Sequence, residues 1–447
     1  MTPIVHQGFA YDWHNGAFLN EAQTAYALGQ LWRLAAGSAQ WEGQPVVLFP
    51  CIDRSEIESM LDAAPGTMEW TPLAAVSPAG WTAPFDTGKL PSLCAVGPPQ
   101  AAYRATTHFP LDLVAGVFLL LTRWEEWTRP SLDDFGCHQE DASIAARQGF
   151  RDRPVLDEWA LVLRAWLMRA RSGWDAIVPA HSVDFSHDID LLRYYRGPTQ
   201  IARGLARKLL KEHRGIASLR AVPEGIAALL DPGRDPCATA FDTLMNFSEA
   251  RGTRGTFFFM AARPGKFDDG YAVDSPLFLS LRNRIRERGH NLGWHPGYDA
   301  AEDDAVFAGE LDRITQAIET SNFGVRHHFL RWRAGYSWKR LARHGVAFDA
   351  SVGYNYCTGF RASTSLRYSA FDLESDSPLS LEVRPLIAMD GPLQRDAMPI
   401  PHQVARLKRR CAAVGGSLTL LVHNYSPMNN PELLASIAQG LNGVEAG

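Results

Sequence analysis

The chain has 447 residues, 46% of them hydrophobic, roughly three times the length of a common single domain, so it can hold two domains with sizeable cores. A formal charge of -5 leaves no global basic field, which argues against nucleic acid as the main partner. Arginine far outnumbers lysine but is spread along the chain, a compositional bias rather than a phosphate-binding run.

The first residues carry neither the basic nor the apolar stretch of a signal peptide. The longest apolar run, Leu113 to Leu121, is far shorter than the ~20 residues that span a bilayer. The six cysteines are isolated, with no C-x-x-C pair, so a cytoplasmic, reduced protein is the expectation. Ten of thirteen tryptophans precede residue 175, which suggests two domains of different character. In the first, helical periodicity predicts helices over 21–35, 54–63, 110–128 and 156–172, with a strand at 46–49 and a Pro-rich stretch over 65–100. This gives an accessory α/β domain over 1–178, whose tryptophans are expected to serve core packing.

From 179 to 447 short apolar runs alternate with helical patterns, the signature of successive βα units and a (β/α) barrel. Strands are expected at 182–187, 256–259, 291–295, 326–330, 346–349, 382–387 and 418–422. Helices are expected at 239–251, 277–288, 303–320, 337–344, 402–413 and 431–440. The segment 195–236 breaks this rhythm and reads as a helical insertion. Its Arg/Lys-bearing helix, 202–214, is either a solvated face or a contact with a lipid-linked substrate.

Catalytic residues of such barrels stand at the C-terminal ends of strands. The first strand ends in Ser186-His187-Asp188-Ile189-Asp190, and its period of two puts Asp188 and Asp190 on one side. Two carboxylates so close repel unless a cation or a shared proton relieves them, and a turn cap needs only one. His295, followed by Pro296-Gly297, and His423 stand at the ends of two further strands, and imidazole is a common zinc ligand. Arg331 and Asp349 complete a set drawn from several strands. His290, His327 and His328 read as hydrogen-bonded structural residues. Trp294, Tyr298, Trp332 and Tyr354 suit either sugar stacking or packing.

Read together, these residues resemble the polysaccharide deacetylase superfamily, carbohydrate esterase family four, over about 180 to 447. The resemblance rests on Ser186-His187-Asp188-Ile189-Asp190, on Gly289-His290-Asn291-Leu292-Gly293-Trp294-His295 and on Leu330-Arg331-Trp332-Arg333-Ala334-Gly335. It extends to Phe348-Asp349-Ala350-Ser351 and Leu421-Val422-His423. It implies a distorted seven-stranded (β/α) barrel that removes acetyl groups from sugars with a divalent metal, most often zinc. By the same resemblance Asp190, His295 and Asp299 are the metal ligands, Asp188 the base, His423 the acid, Arg331 the partner of Asp188 and Asp349 a tuning residue. Asp299 stands where the family has a second histidine, which leaves a catalytically silent glycan-binding protein as the alternative. Trp294, Tyr298, Trp332 and Arg361 are the substrate-binding candidates. The stretches 117–127, 153–159, 359–361 and 389–391 resemble a subgroup found with bacterial surface-glycan genes. The expected function is therefore deacetylation, most often of an N-acetyl group, on a surface polysaccharide or its precursor.

Overall fold

The computed structural model describes residues 3–14, 16–96, 102–103, 106–199, 201–202 and 221–443. The chain separates into two compact units. The first comprises Met1–Val183, Phe329–Asp396 and Gln403–Thr419; the second comprises Asp184–His328, Ala397–His402 and Leu420–Gly447. Both mix helices and strands, so the chain is α/β with a parallel-rich sheet. The basic helix expected over 202–214 lies almost wholly outside the described residues; the Ala221–Leu230 helix of the same insertion is described. Among the described residues no helix is long and apolar enough to cross a membrane.

The second unit is organised by four parallel strands in the order Gly324–Val325, Asn291–His295, Thr256–Met260 and Ser182–Ile189. Phe257, Phe258, Phe259 and Met260 are all buried, as a strand covered on both faces requires. Phe241 of the Pro236–Glu249 helix stacks between Phe257 and Phe259 at 5.6 and 5.9 Å. Helices Pro236–Glu249, Pro276–Glu287 and Asp304–Ile318 start at Asp235, Ser275 and Asp303, whose side chains accept from the first-turn amides. On the far side of the first strand, Val422 N donates to Ser186 O at 3.0 Å, and His187 Nδ1 donates to Val422 O at 2.9 Å. Tyr271 Oη locks two strand ends together, accepting from Met260 N and donating to Ile189 O, both at 2.7 Å. His290, at a strand start, accepts from Gly255 N at Nδ1 and faces Glu249 at Nε2, as its structural reading expected.

One strand of this second unit differs from expectation. Instead of 326–330 the strand is Gly324–Val325, and residues 328–330 form a tight turn. Phe329 and Leu330 hold φ of 58° and 50°, a left-handed conformation that ends any extended run. Arg326 and His328 therefore lie just past the C-terminal end of the strand, which stops at Val325.

In the first unit a five-stranded sheet runs in the order Ile4–His6, Phe9–Tyr11, Val47–Phe49, Thr107–His108 and Ala102–Tyr103, parallel at its centre and antiparallel at both edges. Helices Glu21–Ala36 and Val155–Ala170 fall where periodicity places them, but the span 110–128 divides into Leu113–Leu121 and Trp124–Thr128 at Arg123, whose φ is 56°. Buried tryptophans meet backbone carbonyls: Trp32 Nε1 reaches Ala39 O at 3.0 Å, Trp159 Nε1 Pro91 O at 3.2 Å and Trp166 Nε1 Val76 O at 2.7 Å. Phe348–Asp349 pairs with Ser377–Val383, which forms a hairpin with Tyr368–Asp372, a strand with no counterpart in the sequence reading.

This unit also buries a charge network. Glu126 accepts from Arg123 Nε at 3.0 Å and from Arg361 Nε and Nη2 at 3.0 and 2.7 Å. Burial alone would raise the Glu126 carboxyl, but Arg361 and Arg123 hold it well below the carboxylate range. Asp157 accepts from Ser365 N and Oγ at 2.7 and 2.8 Å, and Glu158 pairs with Arg153 at 2.7 Å. The 123–127, 153–159 and 359–361 stretches are thus the internal ties of this unit. Replacing Glu126 with Ala strands two buried guanidinium groups and is expected to cost about 3–5 kcal/mol. Replacing the exposed Asp141 with Ala should leave the midpoint of urea unfolding unchanged; equal midpoints for the two variants would refute the network's role.

Candidate metal centre

The end of the Ser182–Ile189 strand places Ser186 and Asp188 on one face by simple alternation. Arg326 joins them: its Nη1 donates to Ser186 Oγ at 2.8 Å and to Asp188 Oδ1 at 3.1 Å, while its guanidinium lies 4.7 Å from the centre of the Phe258 ring. Asp188 is nearly fully buried, so this guanidinium compensates the desolvation of its carboxylate.

Asp190 continues the alternation and faces imidazoles. His295 Nε2 lies 3.3 Å from Asp190 Oδ1, His328 Nε2 lies 4.0 Å from the same oxygen, and His423 Nε2 lies 3.9 Å from Oδ2. The tautomer of His295 is set from behind, because its Nδ1 points at Arg326 O at 2.5 Å and a carbonyl can only accept. His295 Nε2 and Asp190 Oδ1 are both buried and make no hydrogen bond in spite of their proximity. Two acceptors facing each other call for a proton or a cation between them. Asp190, His295 and His328 each offer a ligand atom, all within 4.8 Å of one another. Two imidazoles and one carboxylate are the donor set of several catalytic zinc sites, with a coordination position left for water. The residues present therefore fit a divalent metal.

Electrostatics agree with this arrangement. Burial raises the Asp190 carboxyl, but His295, His423 and His328 together carry it well below its ordinary value. Burial likewise lowers His295, and Asp188 and Asp190 outweigh it, so the imidazolium form is favoured. Behind the site two buried carboxylates grip the Pro296-Gly297-Tyr298 turn: Glu310 accepts from Gly297 N at 2.9 Å, and Asp268 accepts from Tyr298 N at 2.9 Å. Burial pushes Glu310 up to about 7.

Of the residues singled out in the sequence, Asp188, Asp190, His295 and His423 come together in this unit. Asp299 is not in the ligand group: it is exposed and opens the short Asp299–Ala301 turn. His328, read as structural, supplies the second imidazole instead. Trp294 is fully buried, its ring 4.8 Å from Phe307, a packing residue. Tyr298 lies against Phe267 at 4.3 Å. The other candidates belong to the first unit. There Asp349 accepts from Trp338 Nε1 at 2.8 Å and Ser351 Oγ at 2.6 Å, Trp332 packs 4.6 Å from Trp338, and Arg361 is held by Glu126. Arg331 is buried in that unit beside Gly136, where a Cβ would meet its Nε at 2.9 Å. Arg326 is the guanidinium seen on Asp188 in the second unit. Sequence reasoning missed Arg326, His328, Asp268 and Glu310. The available signal was the run Arg326-His327-His328, whose alternate members reach the site once the strand ends at Val325.

A family described as of unknown function (DUF7033) matches residues 50–172. No protein of curated function matches the chain by sequence. Among solved structures, the chain is similar to a crystal structure from Mycobacterium smegmatis provisionally described as a polysaccharide deacetylase. Their identity is 15% and the TM-score 0.36, over 60% of this chain and 86% of that one.

Because Asp188 and Asp190 favour the protonated form of His295, protons compete with a cation for its Nε2. Zinc affinity measured by calorimetry should fall as pH is lowered from 8 to 6. An affinity independent of pH across that range would remove His295 from the ligand set.

Proposed function

We propose that this protein is a metal-dependent hydrolase that removes an acetyl group, in the first instance N-acetyl, from a sugar of a bacterial surface polysaccharide or its precursor. The single observation that carries the reading is the Asp190, His295 and His328 group beside an Asp188 paired with Arg326 at 3.1 Å. The motif resemblance over about 180 to 447 supplies the substrate class.

Asp190, His295 and His328 would hold the metal, zinc being the best match to two imidazoles and a carboxylate. When bound, it supplies polarisation of a carbonyl and acidification of a water. Asp188 accepts the proton of the attacking water, its carboxylate oriented by the Arg326 hydrogen bond to Oδ1. His423, on the other side of Asp190, donates a proton to the departing nitrogen. Asp188 and Asp190, two residues apart on one strand, are poorly placed for glycoside cleavage, which needs carboxylates ~5–9 Å apart across a sugar.

The same reading takes 179–447 as a distorted seven-stranded barrel and 1–178 as its accessory domain, a partition that the compact units cut differently. The proposed substrate is an acetylated glycan or glycan precursor, and the proposed compartment is the cytoplasm. The alternative is a catalytically silent glycan-binding scaffold, suggested by the missing histidine at 299; the imidazole of His328 beside Asp190 and His295 supports the enzyme reading instead.

The test is acetate release from N-acetylated oligosaccharides by the full chain, with zinc content measured alongside. The native protein should bind about one zinc and release acetate. Asp188→Asn should lower turnover at least ~100-fold while zinc stays bound. Absence of both zinc and acetate release after zinc is supplied would overturn the proposal, and an active Asp188→Asn protein would remove Asp188 as the base.

A further inference from the structure

The imidazole of His328 does not come from the position that the motif resemblance supplies, and something must orient it. Asp268, in the loop after the Thr256–Met260 strand, is nearly buried and makes two kinds of contact. Its Oδ1 lies 2.7 Å from His328 Nδ1, and its two oxygens accept from Tyr298 N at 3.1 and 2.9 Å. One carboxylate thus ties the ring of His328 to the turn that follows His295. The turn has no slack: a Cβ on Gly297 would meet Ala262 Cβ at 2.5 Å and Asp268 Oδ2 at 2.8 Å. His328 N, in addition, donates to Pro296 O at 3.0 Å, so backbone and side chain hold the same spacing.

A neutral imidazole carries its proton on either nitrogen, and only the nitrogen without it can bind a metal. A carboxylate oxygen 2.7 Å from Nδ1 accepts a hydrogen bond from the ring, so Asp268 holds the proton on Nδ1 and turns the Nε2 lone pair toward Asp190. His295 receives the same treatment from a different group, the Arg326 carbonyl. The two imidazoles are therefore set independently, and only that of His328 depends on a side chain.

We infer that Asp268 is a positioning residue that makes His328 competent to bind a divalent cation, by fixing which ring nitrogen faces Asp190 and how far His328 stands from the His295 turn. The inference rests on the metal-centre reading above. Its tautomer component is measurable without metal.

The experiment uses the full chain, freed of metal by chelation and labelled with ¹⁵N at histidine. In the native protein the His328 ring should be protonated at Nδ1; protonation at Nε2 would overturn the inference with no variant needed. Asp268→Asn retains an oxygen for Tyr298 N–H but offers the ring only an amide donor, so the proton should move to Nε2. Zinc affinity should then fall about 10- to 100-fold. In a His328→Ala background the same substitution should bring no further loss. An unchanged affinity in Asp268→Asn, or an equal loss with and without His328, would show that Asp268 merely supports the loop. A native chain that binds no zinc, even with the expected tautomer, overturns the metal reading and the ligand role of His328 with it.

Discussion

A carboxylate oxygen set against an imidazole nitrogen governs the second unit. Asp190 Oδ1 and His295 Nε2 are buried 3.3 Å apart, and neither can satisfy the other unless a positive charge comes between them. Everything around the pair sustains that arrangement. The Arg326 carbonyl accepts from His295 Nδ1, the Arg326 guanidinium pairs with Asp188, His328 approaches the same Asp190 oxygen and His423 the other one. A buried carboxylate without compensation is costly, so this constellation is stable only with a proton or a cation at its centre.

Both units bury charge, and they neutralise it in different ways. In the first unit Glu126 is closed off by two guanidinium groups, which cannot release their protons and leave no ligand position. The result is a fastener between the chain near 125 and the chain near 360. In the second unit the partners of Asp190 are imidazoles, whose protons exchange near neutral pH and whose lone pairs can serve a metal instead. The difference between a structural ion network and a reactive centre lies in the chemistry of the basic partner, and in access: Glu126 and its two guanidinium partners are buried, whereas Asp190, His328 and His423 are part-exposed.

How much of this was legible depends on how each residue is placed. Asp188, Asp190, His295 and His423 end apolar strands long enough to show a period, and alternation then fixes their facing. Arg326 and His328 follow a strand of only two residues, which has no period to read, and the left-handed Phe329 and Leu330 beyond them carry no sequence signature of turn residues. A strand drawn over 326–330 hides both residues. Asp268 lies in a loop, where nothing in the sequence links it to a histidine sixty residues later. Arg361, a substrate candidate by resemblance, proves to be tied to Glu126, a pairing across more than two hundred residues.

The sequence by itself determined the α/β alternation, the approximate spans of the helices, the buried Phe257-Phe258-Phe259 strand and the strand-end acids, because each follows from local periodicity. Which imidazole stands beside His295, which guanidinium holds Asp188 and which carboxylate orients His328 were decided by the tertiary structure alone. Those contacts join residues about thirty to one hundred and forty positions apart. Their geometry depends on where short strands stop and how turns pack, quantities set by the whole fold and not by any local stretch of chain.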